Sequence, residues 1–223
     1  MQNLRAIKVV FEDDYLVVVE KPSGLLAVPA PNKESRTLTS ILNQQFKNRI
    51  QNLHLYPCHR LDQDTSGLII YAWGKSNQQK LMEEFRARRV KKKYVALVHG
   101  KLARAQGTLK SFIEDVPIGG KRFHHQRKLA ITQFKLLQER RGYSIVEVMP
   151  ITGRTNQIRI HFQQMGNSLV GERKYAFARD FPLKFKRVAL HATELEFIHP
   201  VTGKVISLKS KLPEDLIKFI EEH

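Results

Sequence analysis

The chain has 223 residues, of which 42% are hydrophobic and 26% are charged, a balance typical of a soluble globular protein with a sizeable core. Its 38 lysines and arginines against 21 aspartates and glutamates give a formal charge of +17, which favours a polyanionic partner such as RNA or DNA. A single cysteine, Cys58, excludes an internal disulfide and indicates a reducing compartment. No stretch approaches the ~20 apolar residues of a membrane helix, and no leader pattern opens the chain. We therefore expect a cytoplasmic protein without a membrane segment.

Alternating and apolar patterns predict a series of strands. They are Ile7–Phe11, Tyr15–Val19, Leu68–Ala72, Tyr94–Val98, Thr108–Ile113, Ile131–Leu136, Ser144–Val148, Val188–Phe197 and Val205–Leu208. Helical spacing and capping residues predict four helices. These are residues 37–50, a helix with Ser76 as its N-cap, Thr155–Met165, and a terminal helix that begins at Pro213.

Strands dominate this pattern, and many are joined by short turns. We therefore predict an α+β fold, a mixed, largely antiparallel sheet with flanking helices. No internal repeat, low-complexity tract or long linker interrupts the chain, so residues 1–223 are expected to form a single domain.

Two basic clusters are present. The first, at the end of the second helix, consists of Arg86, Arg88, Arg89, Lys91, Lys92 and Lys93. Six cations are more than a helix dipole needs, so we predict phosphate contacts here, chiefly from Arg88, Arg89 and Lys92. The second consists of Lys121, Arg122, His124, His125, Arg127 and Lys128. It has no periodicity, and it fits a basic loop for phosphate contacts and a solvated loop equally well.

The nine residues from His59 to Gly67, with the sequence HRLDQDTSG, have neither helical nor strand periodicity. Loops held by a rigid scaffold are where catalytic groups concentrate, and the apolar run that follows predicts a buried strand. Asp62 and Asp64 are therefore candidate nucleophiles. The residues from Asp64 to Gly67 also match the signature of aspartic proteases. That chemistry needs two carboxylates that share a proton, and the chain has no second copy of the signature.

Four separated segments resemble, in order, the motifs of the RluA-type pseudouridine synthases. They are Lys21–Leu25, His59–Gly67, Lys93–Gly100 and Gly153–His161. The later segments Gly171–Tyr175 and Leu190–Ala192 also fit the family. Two residues depart from its pattern, since Asn156 stands where His is common and Glu172 where Asp is common. We expect that neither touches the residues assigned to chemistry, and that both affect fine specificity rather than activity.

The resemblance implies a pseudouridine synthase catalytic domain, an isomerase that detaches uracil from its ribose, rotates it and rejoins it through carbon 5. It implies that Asp62 is the nucleophile and that Arg159 pairs with it and favours its charged form. Tyr94 would offer an aromatic face to the flipped base. Arg60 would fill the vacated stack, and Lys21 would bind a phosphate or pack the loop. The resemblance implies no cofactor, and with twenty residues before Lys21 we expect no S4-type RNA-binding domain.

The expected partner is an RNA stem-loop, ribosomal or transfer, bound by a monomer. The alternative is a non-catalytic RNA-binding or ribosome-assembly factor with the same fold. Asp62, Tyr94 and Arg159 argue against it, because a pure binder needs none of the three. The nine histidines form no metal-binding pattern, so we predict no metal site.

Overall fold

The computed structural model describes residues 6–29, 36–48, 54–114, 127–176 and 183–223. In chain order the elements of these ranges are β1 (Val9–Glu12), β2 (Leu16–Lys21), α1 (Leu38–Gln45), β3 (Leu55–Pro57), β4 (Ser66–Trp73), α2 (Gly74–Arg86), β5 (Lys91–His99), β6 (Gln106–Glu114), β7 (Arg127–Arg140), β8 (Tyr143–Pro150), α3 (Gln157–Gln164), β9 (Leu190–Ile198), β10 (Val205–Lys209) and α4 (Glu214–Glu222). The predicted α+β class is confirmed, because the described helices accompany mixed, mostly antiparallel strands.

The described residues group into two compact units. The first comprises the chain up to Val90 together with Glu194–Ser210, and the second comprises Lys91–Thr193 together with Lys211–His223. Strand β9 contributes its first residues to the second unit and its last residues to the first. The expectation of one domain over residues 1–223 stays a prediction.

In the first unit β4 lies between β2 and β9, and all eight of its residues are buried. Strand β2 runs antiparallel to β4, with Lys21 opposite Gly67. Apolar side chains of both strands pack with Leu81 of α2 and with Phe197 of β9. The loop that precedes β4 therefore ends on the most buried strand of this unit, and this strand fixes the C-terminal end of the loop.

The second unit has the strand order β5-β8-β7-β6, and each neighbouring pair is antiparallel. Tyr94 lies opposite Val148, and Val148 lies opposite Phe134, so these three side chains share one face. Phe134 contacts Phe162 of α3, with 5.8 Å between the ring centroids. Helix α3 therefore covers the face that carries Tyr94. Helix α4 packs on the opposite face, beside Leu97.

Helix α3 and the start of α4 lie within two residues of the prediction, whereas α1 and α2 differ more. Helix α1 ends at Gln45 rather than continuing for another turn, and Phe46 instead packs edge-on against Trp73, with ring centroids 5.5 Å apart. Helix α2 begins at Gly74, so the prediction of Ser76 as its N-cap is wrong. Strand β4 leads directly into α2, and the φ of 74° at Gly74 allows this sharp change of direction.

Strand β7 extends beyond the predicted Ile131–Leu136 on both sides. Arg127 and Lys128 lie at its start and pair with β6, so the loop predicted for these two residues is wrong. The rest of that basic cluster, residues 121–126, lies outside the described residues. Buried and more exposed side chains alternate only from Ala130 to Leu136, whereas the residues at both ends of β7 are all exposed. The ends therefore carry no alternating pattern from which a strand could be predicted.

Gly171 occupies a position in the second unit where a side chain does not fit. Its φ is 77°, and an added Cβ would overlap the backbone carbonyl oxygen of Arg187. Arg187 is itself fixed, because its guanidinium donates to both carboxylate oxygens of Asp215 in α4 (2.6 and 2.9 Å). The neighbouring chain therefore cannot move aside freely.

We expect Gly171→Ala to lower the free energy of unfolding by about 2–5 kcal/mol, combining the left-handed backbone conformation with local overpacking. Gly166→Ala is the matched control, since its φ is 86° and an added Cβ would have no atom within 4 Å. That control should show only the backbone cost, about 1–2 kcal/mol. Urea unfolding measures both variants. Equal losses would contradict the close approach of Arg187.

Candidate active site

Asp62 begins a reverse turn that leads into β4. The amide of Thr65 donates to the carbonyl of Asp62 (3.1 Å) and closes the turn over Gln63 and Asp64. Both aspartates are half-buried, whereas Arg60 just before them is exposed. Two carboxylates therefore sit on one fixed turn, partly accessible to solvent.

The segment that begins at Lys21 holds the backbone of this turn. The Lys21 ammonium and the amide of Gly24 both donate to the carbonyl of Gln63 (2.8 and 2.9 Å). The hydroxyl of Ser23 donates to the carbonyl of Asp64 (2.8 Å). The two carbonyls that follow Asp62 in the chain are thus bound by a segment distant in sequence, which limits the movement of the candidate nucleophile.

Lys21 is only 1% exposed. Besides Gln63, its ammonium donates to the carbonyls of Pro22 and Leu25 (2.9 and 2.7 Å). Three acceptors match the three N–H donors of an ammonium group. Of the two roles that the resemblance implied for Lys21, these contacts favour loop packing over a phosphate contact.

His59 and Cys58 stand at the start of the same loop. Nε2 of His59 accepts from the amide of Ile70 (3.0 Å), and the ring lies against Phe85 with centroids 4.9 Å apart. Since an amide can only donate, Nε2 carries no proton in this arrangement. Burial raises the pKa of the Cys58 thiol to about 12. A thiol of this kind is a small apolar side chain, not a nucleophile.

Arg159 in α3 is held by two residues of the second unit. Its Nε and Nη2 donate to the two carboxylate oxygens of Glu172 (2.7 and 2.8 Å), and its Nη1 donates to Oδ1 of Asn156 (2.9 Å). The guanidinium also lies 5.3 Å from the ring centroid of Tyr175. Arg159 is 8% exposed, so its orientation is set by these contacts rather than by water.

Glu172 carries a negative charge in this arrangement. Burial raises the pKa of Glu172, but hydrogen bonds and charge from Arg159, together with the amides of Tyr175 and Lys174, outweigh it and hold the pKa below its ordinary value. The expectation that Asn156 and Glu172 avoid the residues assigned to chemistry is wrong. Both bind Arg159 directly, so the two departures from the family pattern lie in contact with one candidate group.

A buried polar network fixes the start of α3, and sequence reasoning missed it. Nε2 of Gln157 donates to Oγ1 of Thr132 (2.9 Å), while its Oε1 accepts from Oγ1 of Thr152 (2.7 Å). Nδ1 of His161 lies 2.9 Å from the same Thr132 oxygen, and burial lowers the pKa of His161 to about 4. The signal was present, because residues 157 and 161 are one helical turn apart and therefore face the same neighbour.

Tyr94 lies in β5, 7% exposed, on the face that α3 covers. Arg159 belongs to this helix, so Tyr94 and Arg159 both lie in the second unit. Lys92 belongs to the same unit, and Lys21, Arg60, Asp62, Arg88 and Arg89 belong to the first. The pairing of Arg159 with Asp62 stays a prediction.

The first basic cluster is less uniform than its sequence. Arg88 is exposed and has a φ of 58°, whereas Arg89 makes a two-pronged ion pair with Glu84 (2.7 Å for each bond). Lys92 is half-buried, and desolvation lowers its pKa to about 8. Lys93 lies 3.4 Å from Glu147. Of the three residues predicted to bind phosphate, Arg88 is thus the one best placed to do so.

Among the described residues no group of three or more His, Cys, Asp and Glu side chains could hold a metal ion. None of the helices described is long and apolar enough to cross a membrane.

Comparison with known proteins supplies the family. The model of the RNA pseudouridylate synthase family matches residues 15–164. The chain belongs to this family. Ribosomal large subunit pseudouridine synthase D of Nitrosomonas europaea is 32% identical, over 96% of this chain and 64% of its own length. The uncharacterized RNA pseudouridine synthase YlyB of Bacillus subtilis is 34% identical, over 96% of this chain and 72% of its own length.

Solved structures agree with this assignment. Human RNA Pseudouridylate Synthase Domain Containing 4 matches with a TM-score of 0.79 and 25% identity, covering 96% of this chain and 92% of that one. The resemblance found in the sequence motifs is confirmed, and the chain is an RNA pseudouridine synthase, an isomerase. The aspartic-protease interpretation of Asp64–Gly67 is set aside.

The contacts of Lys21 generate a prediction about stability. Lys21→Met keeps the length of the side chain but removes all three donors, so three carbonyl oxygens lose a partner. We expect the free energy of unfolding to fall by about 3 kcal/mol. Lys8→Met is the control, because Lys8 is exposed and binds Glu20 alone among the contacts described, and it should change stability by less than about 0.5 kcal/mol. Chemical unfolding of both variants is the measurement. If Lys21→Met matched Lys8→Met, the ammonium would not hold the turn.

Proposed function

We propose that this isomerase converts uridine into pseudouridine in structured ribosomal or transfer RNA, with Asp62 as the nucleophile. The observation that carries the proposal is the Asp62 turn, where a carboxylate partly open to solvent stands on a backbone held by hydrogen bonds from Lys21, Ser23 and Gly24. The family match includes Asp62, Tyr94 and Arg159. The relative named for the large ribosomal subunit makes that RNA the first substrate to test.

The reaction is balanced within the RNA itself. The bond between ribose C1′ and uracil N1 breaks, the base rotates, a bond forms between C1′ and C5, and the C5 proton is replaced by a proton on N1. An ionised carboxylate assists by covalent attack or by proton abstraction. The uridine must leave its stack to reach a half-buried carboxylate. In the proposal Tyr94 offers a face to the displaced base, Arg159 supports the carboxylate, and Arg60, which is exposed, fills the vacated stack.

The nucleophile is tested by two substitutions in one turn. Asp62→Asn should abolish pseudouridine formation and leave folding and RNA binding largely intact, because the amide cannot act as a nucleophile or base. Asp64→Asn is the matched control, half-buried in the same turn. It should keep activity within about tenfold, a barrier change of ~1.4 kcal/mol. Pseudouridine formation on ribosomal RNA transcripts is the measurement.

The outcomes separate the alternatives. An active Asp62→Asn with an inactive Asp64→Asn would show that the nucleophile is Asp64 and not Asp62. A wild-type protein that binds RNA tightly, but forms no pseudouridine on ribosomal or transfer RNA from cells lacking the gene, would support the non-catalytic RNA-binding factor instead.

The proposal includes an RNA partner bound by a monomer in the cytoplasm. The net charge of +17 supports a polyanion, and the single buried Cys58 fits a reducing compartment. Arg88 is the proposed phosphate contact of the first basic cluster, because it is exposed and its neighbour Arg89 is already paired with Glu84.

Arg88→Gly tests this contact without harming the fold, since glycine accepts a φ of 58° more readily than arginine does. Loss of one phosphate contact should flatten the plot of log affinity against log salt by about 0.7 on single-stranded RNA. The choice of target uridine should not change, because phosphate contacts carry no sequence information. Affinity for a substrate stem-loop across a salt series is the measurement. Arg89→Ala, the control, should change the slope less, and an unchanged slope in Arg88→Gly would remove Arg88 from the RNA surface.

A further inference from the structure

Two neighbours of Arg159 form a defined binding arrangement around its guanidinium. Glu172 occupies one edge through Nε and Nη2, and Asn156 binds Nη1. Together they engage three of the five N–H groups that an arginine can donate. We propose that Asn156 and Glu172 are positioning residues that fix the orientation of Arg159 for the isomerisation. The proposal rests on the function proposed above, because it requires that Arg159 takes part in the reaction.

Glu172 is itself held in place. Its Oε1 also accepts from the amides of Lys174 and Tyr175 (2.8 and 3.1 Å), and its own amide donates to the carbonyl of Leu169 (3.0 Å). The preceding Gly171 has no room for a side chain. The carboxylate is thus fixed by the backbone on which it stands, and a fixed carboxylate that binds both Nε and Nη2 sets the plane of the guanidinium.

Asn156 is held by its backbone conformation. It immediately precedes α3 with φ 55° and ψ 21°, a left-handed conformation that asparagine tolerates better than most residues. Its carbonyl accepts from the amide of Ile160 (3.0 Å), which ties it to the first turn of the helix. The side chain then reaches Arg159, three residues along, from a backbone conformation that few residues other than glycine and asparagine adopt readily.

Stability alone does not account for this arrangement. A buried ion pair contributes little net stability, because the cost of removing both charges from water offsets their attraction. What such a pair does provide is a single orientation. Asn156 and Glu172 share one guanidinium, so their effects on the reaction are coupled through Arg159.

The contact between Asn156 and Arg159 is tested by two substitutions of Asn156, both to residues that accept its left-handed backbone conformation. Asn156→Gly keeps the left-handed conformation and removes Oδ1, whereas Asn156→Asp keeps an oxygen acceptor for Nη1. We expect Asn156→Gly to lower the single-turnover rate constant about tenfold with an RNA dissociation constant within twofold of wild type. Asn156→Asp should regain at least a third of the wild-type rate. A wild-type rate in Asn156→Gly, or equally slow Gly and Asp variants, would overturn the proposal.

Substitution of Glu172 tests whether its effect on the rate is coupled to that of Asn156. Glu172→Gln offers one acceptor oxygen where the wild type offers two, so its rate should fall more than that of Asn156→Gly. In the double variant the loss should stay close to that of Glu172→Gln alone. A loss equal to the product of the two single losses would show independent roles and would overturn the proposal. If Glu172→Gln did not fold, the comparison of Asn156→Gly with Asn156→Asp would decide alone.

Failure of the positioning role and failure of the proposed function give different results. Inactivity of the wild-type protein on every RNA tested would count against the proposed function. An active wild type and an inactive Asp62→Asn, combined with full activity in Asn156→Gly and Glu172→Gln, would contradict the positioning role alone.

Discussion

The loop of the candidate nucleophile depends on one buried charge, the ammonium of Lys21. An unpaired charge is costly to remove from water, so a buried lysine persists only where other acceptors replace its hydration. Three carbonyl oxygens do so here, and one of them belongs to Gln63, next to Asp62. Moving the turn away would leave the ammonium with one acceptor fewer. The position of Asp62 is therefore tied to the burial of a residue far away in the sequence.

The second unit also contains a buried cation that binds internal acceptors, namely Arg159. Arg159 is buried, and its partners Asn156 and Glu172 lie in turns rather than in the middle of regular elements. Regular backbone satisfies its own hydrogen bonds, whereas turns leave carbonyls and short polar side chains available to a buried cation. In the first unit a buried cation holds the turn of the candidate nucleophile, and in the second unit the buried cation is itself the candidate functional group.

The sequence predicted the fold class from strand periodicity, which is a local pattern. It indicated Asp62 and Asp64 as candidates because their loop lacks periodicity, whereas the roles of Tyr94 and Arg159 came from the family resemblance and stay predictions. Contacts between distant residues were not predictable in this way. The contact of Asn156 with Arg159 follows helical spacing once α3 is known to begin at Gln157. Nothing in the sequence indicates that Glu172 returns to the same guanidinium, because this depends on the turn at Gly171.

The net charge of +17 predicts a polyanionic partner but not where it binds, since several cations are occupied within the protein. Lys21 and Arg159 are buried among internal acceptors, and Arg89 binds Glu84. Arg88 differs from them because it is exposed and holds a left-handed conformation that costs a non-glycine residue about 1–2 kcal/mol. Glycine would remove that cost, and the property that glycine lacks is the charged side chain. The strained backbone and the exposed charge at this residue therefore favour the same interpretation, a surface kept for RNA phosphate.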